Sequence, residues 1–232
     1  MGVLTETGRH AVLDQIEGLG WYYVPFEADT SVLTFGGAGS ADETIVIGAK
    51  TYTLKASPSS ADEIDIGSDA VETAGNLVAA INGASGEGTK YGTGTVANAD
   101  VIAVAGDGAA VIVFMRDPTA SGLAVSETSA VASWSVATMA GDGEVSSDTD
   151  EGRQAVNATL GAASAGALAN DAAITWTASA ALNATHVLLN DAASAGNTVG
   201  WAMLSVRQVL AAADDTFELA IGAFTLTGSD PA

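Results

Sequence analysis

The sequence predicts a mainly β protein with a single well-marked helix, and three observations lead there. Short apolar runs recur at residues 32–35, 44–47, 50–54, 101–105, 111–115, 186–190 and 200–206, separated by stretches rich in Gly, Pro, Ser, Asn and Asp. Runs this short, bounded by turn formers, read as strands. One stretch has helical spacing instead: Val71, Ala74, Leu77, Val78 and Ile81 share a face. Residues 141–152, GDGEVSSDTDEG, form a polar, acidic linker without a large apolar side chain, and a domain boundary is placed there.

Taken in order, Thr5 or Thr7 can cap a short helix holding Val12, Leu13 and Ile16, which Gly18-Leu19-Gly20 ends. Residues 21–26, WYYVPF, read as an aromatic strand. Pro25 puts it at a sheet edge or strand end, because proline has no N–H for a central ladder. The next three strands are joined by Gly-containing turns, with Ala49-Lys50 expected at a hairpin tip. Ser57-Pro58-Ser59-Ser60 is a loop and residues 63–66 a further strand. Asp69 or Ser68 can cap the helix, and Asn82-Gly83 can end it in the left-handed conformation that glycine tolerates. A lone helix among strands is expected to lie across a sheet and close one side of its core. Residues 101–105 and 111–115 flank Gly106-Asp107-Gly108 as a hairpin, and residues 131–139, with Trp134, read as a strand. Beyond the linker, residues 154–160, 174–177, 186–190, 200–206, 209–210, 217–220 and 224–226 read as strands.

Composition excludes several functions. The chain has 232 residues, enough for one large β domain or two small ones. Charged residues make up only 15 %, and the net charge is −21 from 7 basic and 28 acidic side chains. Nucleic-acid binding needs a basic patch that releases counterions, and scattered Lys and Arg cannot form one. An anionic membrane surface is disfavoured on the same ground. No stretch approaches the length of a bilayer span, and the first residues lack a signal-peptide layout. With no cysteine, a disulfide framework or thiolate metal site is ruled out.

Two segments resemble known phage families. Thr44-Ile45-Val46-Ile47-Gly48, Thr51-Tyr52-Thr53-Leu54, Ile64-Asp65-Ile66-Gly67, Asn76-Leu77-Val78-Ala79-Ala80-Ile81-Asn82 and Tyr91-Gly92-Thr93-Gly94-Thr95-Val96-Ala97-Asn98 resemble a small domain common in tailed-phage virion proteins. Leu4-Thr5-Glu6-Thr7-Gly8-Arg9-His10-Ala11-Val12-Leu13, together with Thr185-His186-Val187-Leu188-Leu189-Asn190-Asp191-Ala192, Gly200-Trp201-Ala202-Met203-Leu204 and Gly222-Ala223-Phe224-Thr225-Leu226-Thr227, is similar to a family of small phage structural proteins, head-associated or tail-fibre-like. Together the resemblances imply an antiparallel, jelly-roll-like β-sandwich from residues 1–31 and 146–232. A small β-rich domain with one helix, residues 32–145, would be inserted into it.

Candidate chemistry is sparse. Asp142, Glu144, Asp148, Asp150 and Glu151 cluster, but glycine does not fall at the sixth position of a calcium loop, so they read as a solvated linker. His10 and His186 lack a nucleophile elbow, and His186 reads as packed core. Gly92-Thr93-Gly94 and Gly106-Asp107-Gly108 meet neither phosphate-loop pattern and read as turns. No catalytic, cofactor or metal residue is assigned. Trp21, Tyr22, Tyr23 and Tyr91 are the candidate interaction residues, able to offer aromatic faces to a partner or a glycan.

The resemblances imply a non-enzymatic virion subunit, made in a bacterial cytoplasm and assembled into the particle. A capsid decoration or cement role is expected first, with the major capsid protein as neighbour. The alternatives are a tail-fibre-like or adsorption subunit, with tail proteins as neighbours, and a carbohydrate-binding or carbohydrate-active protein. A homo-oligomer, for instance a trimer, is expected in the particle roles.

Overall fold

The computed structural model describes residues 22–140, 143–144, 154–155, 167–177, 182–190, 192, 198–212, 214–223 and 225–227. Their fold is mainly β with antiparallel sheets and one helix, as the sequence predicts, and is consistent with a β-sandwich. In chain order the strands are β1 (Tyr22–Glu27), β2 (Thr30–Phe35), β3 (Thr44–Ile47), β4 (Lys50–Lys55) and β5 (Glu63–Asp65). The helix α1 (Ala70–Asn82) precedes β6 (Val101–Ala105), β7 (Ala110–Met115), β8 (Val125–Glu127), β9 (Ala132–Trp134) and β10 (Gly143–Glu144). Then come β11 (Gln154–Ala155), β12 (Ala167–Ala169), β13 (Ile174–Thr177), β14 (Leu182–Asn190), β15 (Thr198–Leu210), β16 (Thr216–Leu219) and β17 (Thr225–Thr227). Two compact units result: Ala28–Gly143, and Met1–Glu27 with Glu144–Ala232.

The unit Ala28–Gly143 has two four-stranded sheets, β6-β7-β2-β9 and β5-β4-β3-β8. Strand alternation builds its core: Leu33 and Phe35 on β2, Ile45 and Ile47 on β3, Tyr52 and Leu54 on β4, and Ile64 on β5 are buried. The β4–β5 pair is parallel, with Leu54 opposite Ile64. The β3–β4 hairpin turns at Gly48-Ala49, one residue earlier than the expected Ala49-Lys50. Gly48 decides this, since its φ of 58° is the left-handed geometry a tight hairpin needs. Thr30 and Ala140 exchange backbone hydrogen bonds of 2.9 and 3.2 Å, so the two ends of this unit lie side by side.

Helix α1 begins as the sequence predicts. The Asp69 carboxylate accepts from Glu72 N–H at 2.9 Å, and Glu72 in turn accepts from Ser68 N–H at 2.8 Å. Gly83, at φ 61°, ends it. The helix packs against β2, β5, β6 and β7, touching both sheets. Its buried face differs in part from the predicted one. Thr73, Ala74, Asn76, Leu77, Ala80 and Ile81 are buried, while Val71 is 57 % exposed and Val78 half-buried. At about 100° per residue, Val71 and Val78 stand well round the helix from Leu77, and two polar residues fill the opposite flank.

Those polar residues act as staples. Asn76 Nδ2 donates to Asp65 O at 3.1 Å, and Thr73 Oγ1 donates to Ala38 O at 3.0 Å. The loop after α1 is held by Asn98, which is 2 % exposed. Asn98 Nδ2 donates to the Tyr52 hydroxyl at 3.3 Å, while its Oδ1 accepts from Asp100 and Val101 N–H at 2.9 and 3.2 Å. Lys50 fastens the same loop by donating to Val96 O and pairing with Asp62 at 2.9 Å.

The other unit contains the sheet β10-β1-β14-β15, with β11 also on β1, and the small pairs β12–β17 and β13–β16. Strand β14 is buried from Ala184 through Asn190, on both faces. Trp176 of β13 stacks on Phe217 of β16 with ring centroids 5.2 Å apart. One expectation is corrected: β1 is flanked on both sides, so Pro25 is not on an edge strand. Strand β11 reaches only Tyr22 and Tyr23, which leaves Pro25 clear of that ladder. The predicted N-terminal helix and most of the acidic linker lie outside the described residues.

Candidate interaction surface

Cross-strand register places one row of side chains on each face of the sheet β1-β14-β15. Phe26 lies opposite His186, and His186 opposite Met203; Leu188 lies opposite Trp201, and Tyr22 opposite Asn190. Tyr22, Phe26, Trp201 and Met203 therefore share one face with His186 and Leu188. The central pair is buried, whereas Tyr22, Phe26 and Met203 are half-buried and Trp201 is 43 % exposed. Val199 and Val209, also on β15, are 45 % and 55 % exposed. These three are exposed apolar side chains along β15; singly, such side chains are ordinary on a protein surface.

His186 supports this face from below. Its ring meets the Trp201 ring edge-on, with centroids 5.5 Å apart and planes at 79°. Thr185 Oγ1 donates to Phe26 O at 3.1 Å and lies 2.9 Å from His186 Nδ1. His186 is fully buried. It braces Trp201, and its burial agrees with the reading of His186 as packed core from the sequence.

Three of the four predicted interaction residues are described, Tyr22 and Tyr23 in one unit and Tyr91 in the other. Tyr23 is fully buried, on the opposite face of β1 from Tyr22. Tyr91 is 4 % exposed and donates its hydroxyl to Ala84 O. Buried rings offer no platform, so Tyr23 and Tyr91 drop out as surface residues. Tyr22 remains, and Trp21 lies outside the described residues. Trp201 was absent from the predicted set; its only sequence signal was an aromatic in an alternating strand.

The charged groups of the other unit hold turns. Burial works against ionised Glu43, but N–H and O–H donors from Ser40, Ser129 and Ala130 outweigh it and keep its carboxyl below the usual range. Glu63 is likewise lowered, by Ser59 and Ser60 N–H groups at 2.7 and 2.9 Å. Burial pushes the Tyr52 hydroxyl up to about 12. Among the described residues no group of three or more His, Cys, Asp or Glu is placed to hold a metal, and no helix is long and apolar enough to cross a membrane.

The described residues are β-rich, with carboxylates that hold turns and exposed apolar side chains along β15. Residues 119–227 match the sequence model of a family described as podophage GP4 fiber I protein gp80. The similarity covers slightly under half of the chain and supports a phage virion structural protein. No curated protein matches.

Proposed function

We propose that this chain is a non-enzymatic, fibre-like subunit of a tailed-phage particle, attached through the sheet face that carries Tyr22, Trp201 and Met203. The observation that carries the reading is the similarity of residues 119–227 to a fibre protein family, a span that includes all of β14 and β15. A fibre subunit works by packing against other virion subunits, and an apolar sheet face with an aromatic anchor suits that contact. The unit Ala28–Gly143 is read as an insertion, since its two ends are pinned together at Thr30 and Ala140. Capsid decoration, the role expected first from sequence, has less support than the fibre role because the matched family is described as a fibre protein.

The test is to locate the chain in intact particles by cryo-electron microscopy with an antibody label. Density on the tail or its appendages is the expected result. Density on the capsid shell would replace the fibre role with decoration, and absence from the particle would overturn both. A Trp201→Ser chain should melt lower, because the ring's contact with His186 is lost, and at a temperature where it is still folded it should enter particles less well. Equal incorporation would remove this face from the attachment.

A further inference from the structure

Strand β6 ends its sheet and is bonded to β7 on one side. In an antiparallel pair, alternate residues turn their N–H and C=O away from the partner. On β6 the outward set contains Val101 and Ala103. The Ala103 N–H donates to Asn82 Oδ1 at 2.9 Å, and Asn82 Nδ2 donates to the Ala103 carbonyl at 2.7 Å. One side-chain amide thus makes both bonds that a residue of an added strand would make. Val101 is met in the same way, its N–H donating to Asn98 Oδ1 at 3.2 Å and its carbonyl accepting from Arg116 Nε at 2.9 Å.

We infer that Asn82, Asn98 and Arg116 close the β6 edge against strand addition by another copy of this chain. The edge needs closing on chemical grounds. Strand β6 reads VIAVA, apolar, β-branched in part, uncharged and without proline, which is the composition that templates edge-to-edge pairing. The net charge of −21 does not protect it, because salt screens charge beyond about 8 Å under physiological conditions. The terminal strand of the second sheet is closed by the same principle, partly with main chain. Asp65 N–H donates to Lys90 O at 2.9 Å, Gly92 N–H donates to Glu63 O at 2.8 Å, and Asn76 covers the Asp65 carbonyl. The asparagines of this unit serve as strand-edge terminators, a role their turn-forming reputation does not suggest.

The experiment compares full-length wild type with Asn82→Ala and Asn82→Asp by sedimentation velocity over a wide concentration range, alongside amide hydrogen exchange at Ala103. Asn82→Ala exposes both groups of Ala103 and should add an association step absent from wild type, with faster Ala103 exchange in the dissociated chain. Asn82→Asp keeps the acceptor for the Ala103 N–H but loses the donor to its carbonyl; the charge it puts at the edge opposes strand addition, so it should sediment as wild type. A folded Asn82→Ala chain that sediments as wild type throughout would overturn the inference. If Asn82→Ala loses its folded circular dichroism, Arg116→Met decides. That change frees the Val101 carbonyl, and with it the Asn98 carbonyl that Nε also meets at 3.0 Å, while leaving the Asn82 bonds to Ala103 in place; association supports the inference, and a folded chain sedimenting as wild type defeats it.

Discussion

Asn98→Ala should be among the most damaging small changes in the unit Ala28–Gly143. Alanine removes three side-chain hydrogen bonds, to the Tyr52 hydroxyl and to the N–H groups of Asp100 and Val101. Asp100 is exposed, so water can replace its bond cheaply. Tyr52 and Val101 are both 0 % exposed, so their groups are left in the core without that partner. Each buried group orphaned this way costs about 1–3 kcal/mol, giving a loss of roughly 3 kcal/mol. For a domain of this size, about 4 °C of melting temperature accompanies each kcal/mol, so the expected drop is about 12 °C. Differential scanning calorimetry of the full chain measures it, with amide hydrogen exchange at Val101 and Val113 assigning the transition to this unit. Tyr52→Phe combined with Asn98→Ala should cost less than the two separate losses summed, because the pair shares one bond. A drop below about 3 °C, or strict additivity, would refute the account of Asn98 as the clamp of this loop.

Two further expectations follow from the same core. Tyr52 has its hydroxyl raised by burial to about 12, above the value near 10 of an unfolded tyrosine. The folded state therefore holds the proton more tightly, and the associated stability is complete below pH ~10 and lost as pH rises toward 12; urea melts across that window should show a loss on the order of 2 kcal/mol, much reduced in Tyr52→Phe. Gly92 and Gly75 should respond in opposite directions. A Cβ at Gly92 would sit 1.7 Å from the Ser60 carbonyl oxygen, so Gly92→Ala must displace backbone and cost about 3 kcal/mol or more. Gly75 has nothing within 4 Å, and Gly75→Ala should stabilise the helix by about 0.5–1 kcal/mol, both read from chemical denaturation.

Legibility from sequence followed the range of the interaction involved. The caps of α1 were readable because Asp69 meets Glu72 three residues on and Gly83 needs only its own φ. The hairpin at Gly48 was readable to within one residue for the same reason. The helix face was only partly readable. Apolar spacing picked out Ala74, Leu77 and Ile81, but also Val71, which is exposed, and it passed over Asn76, whose partner lies on β5. Proline at residue 25 suggested an edge, yet whether a second strand covers β1 depends on residues far away in the chain. The candidate site was the least legible part. Tyr22 and Tyr23 differ in sequence by one position and in structure by the face of the sheet they occupy.

The sequence by itself determined that the chain is acidic, β-rich and turn-dense, where its best-marked helix begins and ends, and that no basic patch or thiolate site could be built. These are properties of composition and of contacts within a few residues. Only the tertiary structure decided that Tyr23 and Tyr91 are core, that Trp201 stands at the surface over His186, and that Asn82 and Asn98 close a strand edge 21 and 3 residues further along the chain. The reason is physical. An aromatic ring or an amide is equally able to face water or a partner, and the choice is made by whichever distant backbone arrives beside it.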